Sequence, residues 1–267
     1  MCIRDSLYHQ AKIRFAQILE NYADPEKIID WLDKTEVGNI EFYGYGIKSF
    51  ALSMIEAANV LSKGQLTGDE INKILSEIKE MLAAPVELVA RAEDTLEKLS
   101  AKNDLMLITK GDSYEQERKI ARSGIAHYFR YIEVVGEKSE PIYRKILNQY
   151  NLDPNRFLMV GNSLRSDILP VVRIGGKGVY IPNDQTWFHE NANQEEIGDL
   201  EYTKLERLSQ LPEYLEQLKW AFRYRLNYSE WNIRSFVDEG EQMRDLLRQA
   251  YPQNISKPYV GNLLADC

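Results

Sequence analysis

The first part of the chain has the hydrophobic spacing of α-helices. Between Leu7 and about Lys102, apolar residues recur three and four positions apart. This pattern predicts four or five helices. Their expected boundaries are turn-forming or capping residues, namely Asp24-Pro25, Gly44-Tyr-Gly46, Thr67-Gly-Asp69 and Pro85. We therefore predict an all-helical unit over residues 7–84.

The pattern changes at Asp104, where short apolar runs bounded by turn residues begin. Such runs are typical of buried parallel strands: Leu105–Ile108, Tyr131–Val135, Phe157–Val160 and Val179–Ile181. Helical stretches lie between them, from Glu115 to Ser123 before Gly124 and from Pro141 to Tyr150. This alternation predicts an α/β protein with a doubly wound parallel sheet over residues 85–219, and the helical unit as an inserted cap domain.

The signal weakens after Trp187. Residues 211–227 and 230–251 are compatible with two further helices rich in aromatic side chains. We interpret residues 220–267 as a C-terminal helical extension of unknown role. Its aromatic residues would pack back on the core, or they would form a surface for a partner chain or a second copy.

Composition narrows the classes of partner. The net charge of -8 gives no basic surface, so we expect neither nucleic acid nor an anionic membrane as a partner. No apolar run approaches the ~18 residues that a membrane helix needs, and we expect a soluble, cytoplasmic protein. The only cysteines, Cys2 and Cys267, indicate neither a disulfide framework nor a thiolate metal site.

Candidate chemistry lies where the predicted strands end. Thr109 and Lys110 end the first strand, and Lys138 follows the second. Because ligands bind beyond the carboxyl ends of parallel strands, we expect these residues at one site. The Thr109 hydroxyl and the following N–H groups suit a phosphate, although a threonine there also caps helices. Lys138 would be a point charge beside the phosphate, or else an exposed surface lysine.

The segment after the third strand offers oxygen ligands. Gly161 permits a tight turn, and the side chains of Asn162 and Asp167 are suited to a hard cation such as Mg²⁺. The alternative is a helix N-terminus capped by Ser163 or Ser166. A charge in a turn walled by apolar residues favours the metal interpretation.

The segments Ile108–Asp112, Glu137-Lys138 and Met159–Ile168 together resemble the haloacid dehalogenase (HAD) superfamily of aspartate-nucleophile phosphatases. The resemblance implies that Thr109, Lys110 and Lys138 bind phosphate, with catalytic roles for Thr109 and Lys138. It also implies that Asn162 and Asp167 bind Mg²⁺, with Asn162 standing where many relatives have Asp. The implied activity is Mg²⁺-dependent hydrolysis of a small phosphorylated metabolite, with phosphoglycolate-like or nucleotidase specificity as finer alternatives.

The superfamily's first motif is missing. In relatives, a strand ends in Asp-x-Asp, whose first Asp attacks phosphorus and whose second transfers the leaving-group proton. No Asp-x-Asp occurs in the 267 residues. Aligned ahead of Leu7, Cys2 and Arg4 would fall at the two positions, and neither can replace the aspartates. We interpret residues 1–6 as a foreign or truncated start and expect this chain to be inactive.

Without that first strand, the strands ending at Thr109 and Val160 would expose unpaired backbone groups in the core. The alternative is a catalytically inactive phosphate-binding or regulatory relative. Downstream, His189-Glu190 would either line the site entrance or begin a helix with an exposed histidine. The expected partner is a small phosphorylated substrate. The substrate's identity and the oligomeric state stay open, because no motif in the helical unit is diagnostic.

Overall fold

The computed structural model describes residues 4–183, 187–218 and 259–261. Its first part is helical, with α1 (Arg4–Ile18), α2 (Pro25–Tyr43), α3 (Ile47–Leu61) and α4 (Gly68–Ala83). The predicted boundaries are confirmed. Pro25 is the first residue of α2, and α3 begins directly after Gly46. Thr67 forms a capping box with Glu70 at the start of α4, which ends just before Pro85.

These four helices, called here the helical unit, bury one face each against the others. Their spacing of apolar residues produces one cluster with its own interior. Its largest fully buried side chains are Phe15, Leu19, Ile28, Leu32, Phe50, Met54 and Ile74. None of the helices in the described ranges combines the length and the apolar character that a bilayer crossing requires.

The second part alternates strands and helices, as predicted. In chain order the elements are α5 (Ala92–Ser100), β1 (Asp104–Lys110), α6 (Ser113–Ser123), β2 (Tyr131–Val135), α7 (Glu140–Gln149), β3 (Phe157–Gly161), α8 (Leu169–Arg173), β4 (Lys177–Tyr180), α9 (Gln194–Ile197), β5 (Thr203–Lys204) and β6 (Tyr259–Gly261). Residues 211–218 are also helical. The remainder of the two helices predicted for residues 211–251 lies outside the described residues.

The sheet has the order β2-β1-β6-β3-β4-β5, and every neighbouring pair is parallel. Both faces are covered. Leu105 and Leu107 pack on the side of α5, whereas Met106 and Ile108 pack on the side of α7. This coverage explains why β1 is a continuous apolar run, because successive side chains of a strand point to opposite faces. The α/β fold class is confirmed.

The centre of the sheet differs from expectation. β6 lies between β1 and β3, with Val260 in register with Leu105 on one side and Leu158 on the other. The expectation that β1 and β3 would lack a strand between them is therefore wrong. The interpretation of residues 220–267 as helical is also wrong for residues 259–261. Backbone groups in a buried sheet must find partners, and β6 lies in register with Asp104–Met106 of β1 and Phe157–Met159 of β3.

The strand order creates a switch point at β6. From β1 the chain moves outward to β2, and from β3 it moves in the opposite direction through β4 to β5. Open α/β sheets bind ligands beyond the carboxyl ends of the strands at such a point. The ends of β1 and β3, which carry Lys110 and Gly161, lie on either side of it.

Candidate functional site

A glutamine from α6 holds the end of β1. Thr109 is buried and donates its hydroxyl to Gln116 Oε1 at 3.1 Å. Gln116 Nε2 in turn donates to the backbone oxygen of Lys110 at 3.1 Å. Thr109 does not cap the helix that follows. That role belongs to Asp112, whose carboxylate accepts from the N–H of Glu115 at 3.0 Å.

Lys138 is fully buried, so the alternative of a surface lysine is wrong. Its Nζ lies 2.8 Å from Asp167 Oδ1, and both side chains are 0% exposed. The other carboxylate oxygen of Asp167 accepts from the N–H of Ser163 at 3.2 Å. Each charge of this pair depends on the other, because a buried ion without its partner is strongly destabilising.

A glycine is required at position 161 because a larger side chain would not fit there. The tight turn expected at this position is not the reason. The φ of Gly161 is outside the left-handed region, and Gly161 is the last residue of β3. A Cβ on Gly161 would lie 2.0 Å from Asp167 Oδ2, well inside van der Waals contact. The glycine therefore gives the Asp167 carboxylate its place against the end of the strand.

The helix-cap alternative for this segment is confirmed for one of its two serines. Ser163 Oγ accepts from the N–H of Ser166 at 2.8 Å, at the start of a π-helical turn over Leu164–Ile168. Tyr143 of α7 donates its hydroxyl to the backbone oxygen of Ser166 at 3.0 Å. Such turns occur most often where a helix is adapted to a functional site.

The sequence placed His189-Glu190 at the site entrance as one of two alternatives but gave Glu190 no role inside the site. Its Oε1 lies 2.5 Å from Lys110 Nζ, and its Oε2 accepts from the hydroxyls of Ser163 and Ser166, each at 2.5 Å. Lys110 also donates to Ser166 Oγ at 3.0 Å and lies 3.9 Å from the centre of the Tyr45 ring. One buried carboxylate thus joins the ends of β1 and β3.

The environment of Glu190 keeps it ionised. Burial raises its pKa. The charge of Lys110 and the hydrogen bonds of Lys110, Ser163 and Ser166 outweigh this effect and bring the pKa down to about 2. The neighbouring His189 is half-buried, and burial lowers its pKa. The sequence signal for Glu190 is its position in the pair His189-Glu190, which follows the apolar residues Trp187 and Phe188.

A cavity of about 320 Å³ lies between the helical unit and the sheet. Its sheet side includes Lys110, Gln116, Lys119, Asn162 and Glu190, and its helical side includes Tyr8, His9, Lys12, Asp33, Glu36, Tyr45 and Phe50. Besides the contact of Lys110 with the Tyr45 ring, polar contacts of two residues at the start of α3 join the sides. Ile47 N donates to Glu115 Oε2 at 2.9 Å, and Lys48 Nζ lies 2.8 Å from Asp112 Oδ1.

The predicted site residues are divided between this cavity and a neighbouring one. Lys110 and Asn162 line the first cavity, whereas Lys138 lines a second of about 500 Å³. Tyr45 and Glu190 line both cavities. The structure thus brings the ends of β1, β2 and β3 to one region.

The residues that the structure describes do not fit a magnesium ion. Within these ranges, no group of three or more Asp, Glu, His or Cys side chains could hold a metal. Of the two proposed ligands, Asp167 has one oxygen on Lys138 and the other on the N–H of Ser163. Mg²⁺ requires near-octahedral oxygen coordination, which Asn162 and an ion-paired Asp167 do not supply.

Comparison with known proteins identifies the family. The model of the haloacid dehalogenase-like hydrolases matches residues 8–175. A haloacid dehalogenase-like family hydrolase from Xanthomonas campestris is 33% identical, with a TM-score of 0.71 over 82% of this chain and 87% of that one. The chain therefore belongs to the haloacid dehalogenase-like hydrolase family.

More specific relatives match over shorter lengths. The glyceraldehyde 3-phosphate phosphatase of Methanothermobacter thermautotrophicus is 31% identical over 116 residues, which are 42% of this chain and 50% of that protein. The enzyme of the same name from Pyrococcus furiosus is 31% identical over 120 residues, 42% of this chain and 46% of that protein. This chain spans about half the length of these relatives.

The HAD-hydrolase YfnB of Bacillus subtilis, described in a magnesium-bound form, has a TM-score of 0.53 and 17% identity over 78% of this chain and 92% of that one. That similarity concerns the fold alone.

Proposed function

We propose that the chain binds a small phosphoric monoester at the switch point, as part of a phosphatase function within its family. The observation that carries the proposal is that two buried lysines lie at or past the ends of neighbouring strands, Lys110 in the first cavity and Lys138 in the second, each paired with a carboxylate near the end of β3. Phosphoryl transfer asks the protein mainly to position the group and to neutralise charge on its oxygens.

The proposed roles follow from position. Thr109 would donate its one hydroxyl hydrogen bond to a phosphoryl oxygen in exchange for the bond that it gives Gln116. Lys138 would supply positive charge from the end of β2. Lys110 would do so from β1, and a bound phosphate would compete with Glu190 for its ammonium group. Asn162 and Asp167 remain proposed magnesium ligands on the condition that further carboxylates complete the coordination. The condition is needed because Asp167 is already paired with Lys138.

Hydrolysis through an aspartyl-phosphate needs a nucleophile that these 267 residues do not supply as Asp-x-Asp. The second candidate function is therefore phosphate binding without turnover. One observation favours it: residues 259–261 pair with the first three residues of both β1 and β3, so these strands are joined in one sheet without a nucleophile strand. The name of the curated relatives makes glyceraldehyde 3-phosphate the first phosphoric monoester to test.

The test combines binding with turnover. Calorimetry with inorganic phosphate is compared with hydrolysis of glyceraldehyde 3-phosphate and of p-nitrophenyl phosphate. Thr109→Val should weaken phosphate binding by about tenfold, because it removes one hydrogen bond to a charged group. Thr35→Val, which removes an exposed hydroxyl bonded to the Trp31 backbone oxygen, is the control. Binding without turnover supports the second candidate, turnover supports the phosphatase, and no phosphate binding overturns both.

A further inference from the structure

A charged trio lies within the wall of the helical unit. Lys12 of α1 places its Nζ 2.5 Å from Asp33 Oδ1 and 3.1 Å from Glu36 Oε2, and both carboxylates belong to α2. The side chains of the trio are only 12%, 25% and 15% exposed, respectively. Apolar side chains surround it, and the Phe50 ring centre is 5.9 Å from the ammonium group.

Stability does not explain these three charges. Replacing a buried ion pair by apolar residues of similar volume is often neutral or stabilising, because desolvation of the ions is costly. Burial opposes the charged form of Lys12, but the nearby Glu36 and Asp33 carboxylates together raise its pKa above the usual value. The ammonium group is therefore kept charged inside a helical unit that the apolar cluster already holds together.

The trio also retains hydrogen-bonding capacity. Glu36 Oε2 is buried, and within the described residues it accepts no well-aligned hydrogen bond, although Lys12 Nζ is close to it. A buried carboxylate oxygen in this state can accept from a ligand. Burial raises the pKa of Glu36, and Lys12 opposes that rise.

The trio faces the same space as the proposed phosphate site. Lys12, Asp33 and Glu36 line the 320 Å³ cavity whose sheet side carries Lys110 and Asn162. The cavity therefore has a phosphoryl end on the sheet and a second polar end on the helical unit. A substrate held by its phosphoryl group would extend its leaving group toward the second end.

The chemistry of the trio selects among leaving groups. A hydroxyl can donate to a carboxylate and accept from an ammonium group at the same time. A carboxylate end would meet the trio's net charge of about -1, and an apolar end would displace water from the trio's carboxylates without offering them a hydrogen-bond donor. We infer that Lys12, Asp33 and Glu36 form the leaving-group subsite and select phosphoric monoesters that carry hydroxyl groups, of the polyol or sugar phosphate class. This inference rests on the proposed function.

Three matched ligands test the inference on the full chain. They are 2-hydroxyethyl phosphate, propyl phosphate and phosphoglycolate, with inorganic phosphate as the reference, and their affinities are measured by calorimetry. The hydroxyl compound should bind about tenfold more tightly than propyl phosphate, as expected for one hydrogen bond to a charged group, and phosphoglycolate should bind more weakly than either.

Two substitutions separate recognition from a structural role. Asp33→Asn should remove most of the preference for the hydroxyl compound, and Glu36→Gln should strengthen phosphoglycolate binding because it removes one negative charge. Each affinity is expressed relative to that of the same variant for inorganic phosphate, which corrects for the general effect of the lost charge on anions. The matched control is Asp30→Asn, which alters an exposed carboxylate of the same helix paired with Lys34 at 2.6 Å.

The outcomes are distinguishable. If inorganic phosphate binds but the chain does not prefer the hydroxyl compound, or if both variants discriminate as the unchanged chain does, the inference is overturned and the proposed function stands. If inorganic phosphate does not bind at all, the proposed function fails and the inference fails with it. A loss of folding in Asp33→Asn leaves Glu36→Gln to decide, because a purely structural role would not strengthen phosphoglycolate binding.

Discussion

The carboxylate of Asp167 occupies the space in which any side chain on Gly161 would lie. A Cβ at that position would be 2.0 Å from Asp167 Oδ2, while Asp167 Oδ1 receives the buried ammonium group of Lys138 at 2.8 Å. The last residue of β3, the π-helical turn and Lys138, three positions past the end of β2, are therefore packed as one unit. A substitution in any one of the three should therefore disturb the packing of the other two.

Gly161→Ala should destabilise the protein by roughly 3 kcal/mol or more, since overpacking here would also displace a buried charge. Urea unfolding measures the change. Gly38→Ala is the control, because Gly38 lies within α2 and a Cβ there would meet nothing within 4 Å. That substitution should stabilise the chain by about 0.5–1 kcal/mol, through helix propensity. Equal effects of the two substitutions would contradict the close packing of Asp167 against β3.

Asp167→Asn should lower the free energy of unfolding by about 3–5 kcal/mol, because it leaves Lys138 charged and buried without its partner. The control is Asp30→Asn, whose exposed pair with Lys34 should contribute less than about 0.5 kcal/mol. Chemical denaturation of both variants gives the comparison. A loss below about 1 kcal/mol for Asp167→Asn would show that the ion pair is dispensable. Asp167 would then again be a candidate metal ligand.

Glu190 should make the free energy of unfolding decrease as the pH becomes acidic. Its pKa of about 2 in the folded protein is below the usual glutamate value of 4.5, so its contribution is fully present above about pH 4.5 and is lost as the pH falls toward 2. Relative to the unchanged chain, Glu190→Gln should cost about 3 kcal/mol at pH 6, and the difference should shrink below pH 4.5. Unfolding curves from pH 3 to 7 measure it.

The control for Glu190 is Glu195→Gln, an exposed position in α9. It should give a small difference that does not change over the same pH range. A cost for Glu190→Gln that stays constant down to pH 3 would contradict the depressed pKa and would mean that Lys110 does not hold the carboxylate in solution.

Magnesium alone should not stabilise this chain. Within the described ranges no three-ligand cluster exists, so the melting temperature in millimolar MgCl₂ should equal that in NaCl of the same ionic strength. Inorganic phosphate should raise it under the same conditions. A magnesium-specific increase that disappears in Asn162→Ala would instead establish Asn162 as a ligand and reverse the conclusion about metal fit.

Local chemistry made much of the fold predictable from the sequence. The residues Pro25, Gly46 and Thr67 end or begin helices through backbone restriction and capping, which involve only near neighbours in the chain. The strands of the sheet were predictable because buried parallel strands are uniformly apolar. The site residues Thr109 and Lys138 were found because parallel strands bring their carboxyl ends to one edge.

Only the tertiary structure decided which of these residues contact each other. Lys110 and Glu190 are 80 positions apart, and no spacing rule joins them. The three residues of β6 fill the centre of the sheet because the backbones of β1 and β3 need partners, and not because Tyr259–Gly261 has a strong strand pattern. The sequence by itself determined the helices α1 to α4, the strands β1 to β4 and the polar groups at their ends. Folding decided how buried charges and backbone groups are paired, because pairing depends on distances that the chain acquires only when it packs.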